Sequence, residues 1–164
     1  MIVSKNEPIT LIGGGDVDKH SFALSLRHAK TVIAADGGAD HALNFGITPQ
    51  AVIGDFDSVT ENALAQIEPQ NQHRIAEQDS SDFDKALRAI DAPLVIGVGF
   101  TGSRIDHQLS VFNTLARYPG KRCLLLGAHE VVFLCPPSFR LELAKGSTVS
   151  LFAMGAVEGI SDGL

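Results

Sequence analysis

Apolar residues in this chain gather in short runs that stop at glycine or aspartate, and between those runs they recur at helical spacing. Residues 9–12 form such a run and lead into Gly13, Gly14 and Gly15, the pattern of a buried strand leaving into a turn. A helix is expected next, capped by Asp16 or Asp18, with Phe22, Leu24, Leu26 and Ala29 on its apolar face up to Lys30. A β-branched strand over 31–35 ends at Asp36; a helix over 39–45 ends at Gly46. A strand over 51–54 delivers Asp55 and Asp57. A weak helix over 61–66 and a short strand over 73–75 follow. The segment 81–90 then reads as a helix with Phe83, Ala86, Leu87 and Ile90 on one side, capped by Asp79 or Ser80. A strand over 94–98, a glycine loop over 99–103 and a helix over 104–117 with Leu109, Phe112 and Leu115 in its stripe complete this alternation.

Alternating strands and helices predict an α/β fold: a Rossmann-like, mostly parallel sheet with helices on both faces, its ligands outside the carboxyl ends of the strands. The pattern changes after Lys121. Segments 123–126, 131–135, 139–143 and 148–153 read as short strands divided by Gly and Pro turns, with no helix between them. The expected division is an α/β domain over 1–127, followed over 128–164 by the start of a C-terminal β-sandwich that the sequence leaves incomplete.

At 164 residues and 45% hydrophobic content, the chain can bury a full core. A net charge of −6, with no Lys or Arg run, argues against nucleic acid or an anionic membrane surface as partner. Cys123 and Cys135 lack the paired spacing of a zinc site and read as buried thiols in a reducing compartment. The opening residues hold an apolar run too short for a signal sequence or membrane span, so the expected location is cytoplasmic.

The candidate chemistry lies in the aspartates. Asp36, Asp55, Asp57, Asp79, Asp82 and Asp106 each stand beside a glycine, serine or turn that follows an apolar run, as expected if one rim of the sheet gathers carboxylates around a hard cation such as Mg²⁺. In GDFDS, 54–58, two aspartates at i and i+2 can approach one cation if the strand turns there; equally, each can cap a turn or helix. In ADGGAD, 35–40, Asp36 is either a further ligand or part of an Asp-Gly turn. Ser81 and Asp82 open a helix, where hydroxyl and backbone N–H groups bind phosphate and a carboxylate complements the dipole. Lys85 can reach a phosphate or pair with Asp82. Arg104 offers a planar fork for phosphate, Asp106 can fix it or accept from a ribose or base, and His107 follows one residue on.

Taken in order, ADGGADHAL, GDFDSV, QDSSDFDKAL and GSRIDHQLSVFNTL resemble the thiamine pyrophosphokinases. The resemblance covers residue 11 to the end and implies ATP and Mg²⁺ on the α/β domain, a C-terminal β-sandwich that completes the thiamine pocket, and a homodimer. It implies transfer of a pyrophosphoryl group from ATP to thiamine. By position, Asp36, Asp55, Asp57 and Asp82 match the acidic residues around magnesium and the phosphates. Ser81, Arg104 and His107 match nucleotide contacts, and Gln78 matches a residue near thiamine. The family commonly has glycine where Ser103 stands, and its pattern continues beyond the final Gly-Leu with a basic and an aromatic residue and further strands. The alternatives are a related pyrophosphokinase of the hydroxymethylpterin type and a Mg-nucleotide-binding domain without turnover.

Overall fold

The structure is a computed structural model that describes residues 1–102 and 104–163. Ser103, whose place in the loop bears on the expected glycine, lies outside the described residues. The chain divides into two compact units, Met1–Leu134 and Cys135–Leu164.

The first unit is a mixed α/β fold whose elements run β1 (Val3–Ser4), β2 (Ile9–Ile12), α1 (Lys19–His28), β3 (Thr31–Ala35), α2 (Gly38–Asn44) and β4 (Ala51–Gly54). They continue with α3 (Glu61–Leu64), a 3₁₀ turn at Pro69–Asn71, β5 (Gln72–Arg74), α4 (Asp82–Ala89), β6 (Ile90–Asp91) and β7 (Val95–Val98), then α5 (Ile105–Arg117), β8 (Cys123–Leu126) and β9 (Val131–Phe133). The main sheet has the order β5-β4-β3-β2-β7-β8-β9, parallel throughout except that β9 runs antiparallel to β8. β1 and β6 form a separate parallel pair. From β2 the chain steps outward to β3, β4 and β5, then returns to the other side of β2 with β7, so the order reverses between β2 and β7. That reversal opens a crevice at the carboxyl ends of those two strands.

Every residue of β2, β3, β4 and β7 is buried, which explains runs that are apolar without alternation. Successive residues still point to opposite faces. Leu11, Ile33, Ile53 and Leu125 pack with Phe83, Ala86 and Leu87 of α4 and Val111 and Leu115 of α5. Ile12, Val32, Ala34 and Val52 pack on the other face with Phe22 of α1, Ala39 and Ala42 of α2 and Ala63 of α3. Each such fully buried aliphatic or phenyl side chain stabilises the fold by roughly 1.5–3 kcal/mol.

Local chemistry sets the helix boundaries. Asp18 caps α1 by accepting the Ser21 N–H at 2.7 Å, and Gly46, at φ 75°, ends α2 as its sequence position predicts. The cap of α4 differs from expectation: it is Ser81, whose hydroxyl accepts the Asp84 N–H at 3.3 Å, not Asp79 or Ser80. An Ncap side chain bonds the N–H two or three residues on, and Ser81 stands three before Asp84. In α5 the buried residues are Val111, Thr114 and Leu115, while Leu109 is 54% exposed.

The second unit holds no helix or strand among its described residues, and all of them are exposed. Arg140 pairs with Glu142 at 3.5 Å, and the Ser147 N–H closes a turn on the Ala144 carbonyl at 3.1 Å. Segments 139–143 and 148–153 therefore run without strand pairing here. No helix among the described residues is long and apolar enough to cross a membrane.

Candidate active site

Two strand ends and one helix start converge on a single carboxylate cluster. Asp36 follows β3, Asp55 and Asp57 follow β4, and Asp82 opens α4; oxygens of all four lie within 4.8 Å of one another. The backbone is bent to achieve this. Asp36 has φ 44° and Phe56 has φ 68°, both in the left-handed region, which aspartate tolerates and a bulky residue such as phenylalanine seldom adopts. The reversal at Phe56 brings Asp55 and Asp57, which an extended strand would hold on one face about 7 Å apart, toward one point.

Asp36 is 2% exposed. Its Oδ2 accepts the Ser58 N–H at 3.0 Å, whereas Oδ1 is buried with no hydrogen-bond partner among the described residues. An orphaned buried carboxylate oxygen is costly unless something neutralises it. Burial pushes the Asp36 carboxyl up to about 6; the Ser58 N–H opposes the rise, and the charges of Asp82 and Asp57 add to it. Burial also raises Asp82, against the pull of Lys85.

Lys85, one turn into α4, is 1% exposed and donates from Nζ to Asp55 Oδ2 at 2.6 Å and Asp82 Oδ1 at 3.1 Å. The Lys85 hydrogen bond is the main cause holding Asp55 below its ordinary value. Burial alone would lower the Lys85 ammonium, but its bonds to Asp55 and Asp82 outweigh that and carry it upward. Gln78 donates to Asp55 Oδ2 at 3.4 Å, and the Asp57 N–H donates to Asp55 Oδ1 at 3.3 Å. Arg74 Nε donates to the Asp55 carbonyl at 3.0 Å, tying the loop to β5.

Of the residues singled out by sequence, Asp36, Asp55, Asp57, Asp82, Lys85 and Gln78 thus meet in one network, with Ser81 beside it as the α4 cap. Arg104, Asp106 and His107 stand apart on the exposed start of α5. Arg104 grips Asp106 with Nε at 3.2 Å and with Nη2, and among the described residues it makes no ion pair to the cluster. That pairing lowers Asp106 to about 2.

Sequence reasoning passed over two participants. Ser58 braces the site twice, through its N–H to Asp36 and its hydroxyl to Asp57 Oδ1 at 2.8 Å. Asp84 is a buried carboxylate that accepts from Arg117 Nη1 at 2.9 Å and the Tyr118 hydroxyl at 3.1 Å, clamping α4 to α5. The serine in GDFDS was the available signal for the first; no local signal marks the second.

A cavity of about 500 Å³ opens at the carboxyl ends of β2, β7 and β8, lined by Asp16, Val17, Thr101, Leu126, His129 and Glu130 among others. It lies at the reversal of strand order, where open α/β sheets take ligands. The cluster offers only hard oxygen donors, one of them buried and unsatisfied, and so fits a hard divalent cation such as Mg²⁺.

The sequence pattern of a family described as "Thiamin pyrophosphokinase, catalytic domain" matches residues 22–125. The chain is 27% identical over 147 residues to thiamine pyrophosphokinase 1 of Arabidopsis thaliana, covering 73% of this chain and 55% of that protein. It is 41% identical over 83 residues to the thiamine pyrophosphokinase of Bacillus subtilis, covering 47% of this chain and 39% of that one. It therefore spans about half the length of these curated relatives or less. The crystal structure of the B. subtilis protein superposes with a TM-score of 0.65 at 27% identity, covering 80% of this chain and 66% of that chain. The yeast structure, at 15% identity and a TM-score of 0.61, shares the fold. By the reach of that pattern over α1 to β8, the chain belongs to the thiamin pyrophosphokinase family.

Proposed function

We propose that this chain carries the catalytic domain of a thiamine pyrophosphokinase, which transfers the pyrophosphoryl group of ATP to the thiamine hydroxyl and releases AMP. The convergence of Asp36, Asp55, Asp57 and Asp82 on one point at the sheet's carboxyl rim, with Asp36 Oδ1 unsatisfied, is the observation that carries this reading. These four would hold a Mg²⁺ ion beside the phosphates. When bound, the ion neutralises charge on the phosphate oxygens.

The substrate hydroxyl attacks the β-phosphorus, the α–β bridging bond breaks, and the electron pair leaves with AMP. Asp57, exposed at the rim, accepts the hydroxyl proton; loose phosphoryl-type transition states ask little of a base, so positioning matters more. Ser81, Lys85, Arg104, Asp106 and His107 serve the nucleotide, and Arg104 spreads charge from the leaving group. The crevice cavity accommodates the nucleoside, about two strand spacings, roughly 10 Å, from the end of β3. Gln78, already on Asp55, orients thiamine.

The reading extends to residues 128–164 as part of a β-sandwich domain and to a homodimer. The alternation of Phe139, Leu141 and Leu143, all exposed, supports this. We place the protein in the cytoplasm, in keeping with two free cysteines. The test is AMP release from Mg-ATP. Formation that depends on thiamine and is absent with hydroxymethylpterin bears the reading out; ATP binding with no AMP release under any acceptor ends it.

A further inference from the structure

We infer that Lys85 is a resident cation that occupies one side of the carboxylate cluster, so that the protein without nucleotide takes one divalent ion there and not two. This rests on the divalent-cation part of the reading above and concerns how the chain sets the number of ions. Four carboxylates within 4.8 Å form a strongly negative site. Two divalent ions would satisfy it in charge, as they do in two-metal phosphoryl-transfer centres.

Here one position is already filled. Nζ sits 2.6 Å from Asp55 and 3.1 Å from Asp82, distances of direct charge-assisted hydrogen bonds. Both carboxylate oxygens of Asp55 are engaged, Oδ2 by Lys85 and Gln78 and Oδ1 by the Asp57 N–H. The oxygen left wanting a cation is Asp36 Oδ1, on the neighbouring strand end.

Lys85 has no route out. Its stem is buried, and α4 packs on β3 and β4. The helix is fixed at its start by the Ser81 cap and across to α5 by the Asp84 contacts with Arg117 and Tyr118. A second divalent ion at Asp55 would have to coexist with, or displace, a buried ammonium whose one remaining ion-pair partner among the described residues is Asp82, and an undercompensated buried charge is strongly unfavourable. The divalent ion is therefore confined to the side that Asp36 and Asp57 serve.

The test titrates Mn²⁺ alone into the full chain, with no nucleotide, and follows free Mn²⁺ by electron paramagnetic resonance. Wild type should bind one ion. Lys85→Met, with the fixed charge removed, should take a second ion or hold the first at least about tenfold more tightly, the scale of effect that neighbours of metal ligands exert. Two ions on wild type, none at all, or a Lys85→Met protein with unchanged number and affinity each overturn the inference. Should Lys85→Met not fold, anomalous diffraction from Mn²⁺-soaked wild-type crystals decides it. One peak, with Nζ still on Asp55, is expected; a metal ion on Asp55 in place of Nζ overturns it. Thiamine-dependent AMP release is measured separately, so this inference can fail while the pyrophosphokinase reading stands.

Discussion

Gly54 and Asp36 face each other at the carboxyl ends of β4 and β3 so closely that a Cβ on Gly54 would lie 2.7 Å from the Cβ of Asp36. Only a missing side chain lets Asp36 lean across its neighbour and reach the cluster. Gly54→Ala should therefore displace Asp36 more than it disturbs the core. Overpacking of this kind destabilises by about 1–3 kcal/mol. We expect a modest fall in melting temperature with loss of divalent-ion binding and turnover; a variant that keeps wild-type Mn²⁺ affinity would show that Asp36 needs no such clearance.

Asp36 itself is held at a cost. Its carboxyl is raised by burial from 3.8 to about 6, so between those values the folded chain binds more protons than the unfolded one. Stability from this group is full below the lower value, declines as pH rises, and is lost above about 6. At about 1.4 kcal/mol per pH unit, the ionised form costs the apo fold at most about 3 kcal/mol. Asp36→Asn keeps an acceptor for the Ser58 N–H, and asparagine tolerates φ 44°. Without metal at pH 8 this variant should melt higher than wild type, with the gain vanishing near pH 4, while divalent-ion binding is lost. Equal melting at pH 8 would mean that Asp36 pays no burial penalty.

The strands and the cluster were legible for different reasons. Runs 9–12, 31–35 and 51–54 are buried on both faces, so an unbroken apolar string ending at Gly or Asp marks each one. The parallel topology then places their ends on one rim, which is why aspartates far apart in sequence could be expected to meet. What the string does not carry is pairing: Lys85 and Asp55 are 30 residues apart, and only Asp82, at i−3, was a visible partner. The run Asp79, Ser80, Ser81, Asp82 offers several adjacent cap candidates, and the choice among them turns on which one reaches an N–H three residues on. Segments 139–143 and 148–153 have strand composition, but a strand exists only when another pairs with it.

Arg104 and Asp106 are 65% and 63% exposed, so their ion pair contributes little to folding. Arg104→Ala should leave the melting temperature within a degree or two, a change well under about 1 kcal/mol. If the guanidinium leaves Asp106 for a phosphate, the KM for ATP rises while thiamine affinity holds. An unchanged KM for ATP would assign Arg104 to the surface alone.

The clamp between α4 and α5 should respond asymmetrically to loss of either side. Asp84 is 3% exposed at its side chain, whereas Arg117 is 55% exposed. Removing Arg117 leaves a buried carboxylate whose remaining side-chain partner among the described residues is the Tyr118 hydroxyl, and an undercompensated buried charge is penalised heavily. Removing the charge at Asp84 leaves a guanidinium that water and the Asn113 side chain can serve. Arg117→Met should thus destabilise by about 1–3 kcal/mol and exceed the loss in Asp84→Asn. The double variant should lose less than the sum of the two, because the carboxylate that suffers in the first is neutral in the second. Chemical denaturation of the three proteins measures this directly. Additive losses, or a larger loss from Asp84→Asn, would show that Tyr118 alone sustains the buried carboxylate and that Arg117 contributes only its surface.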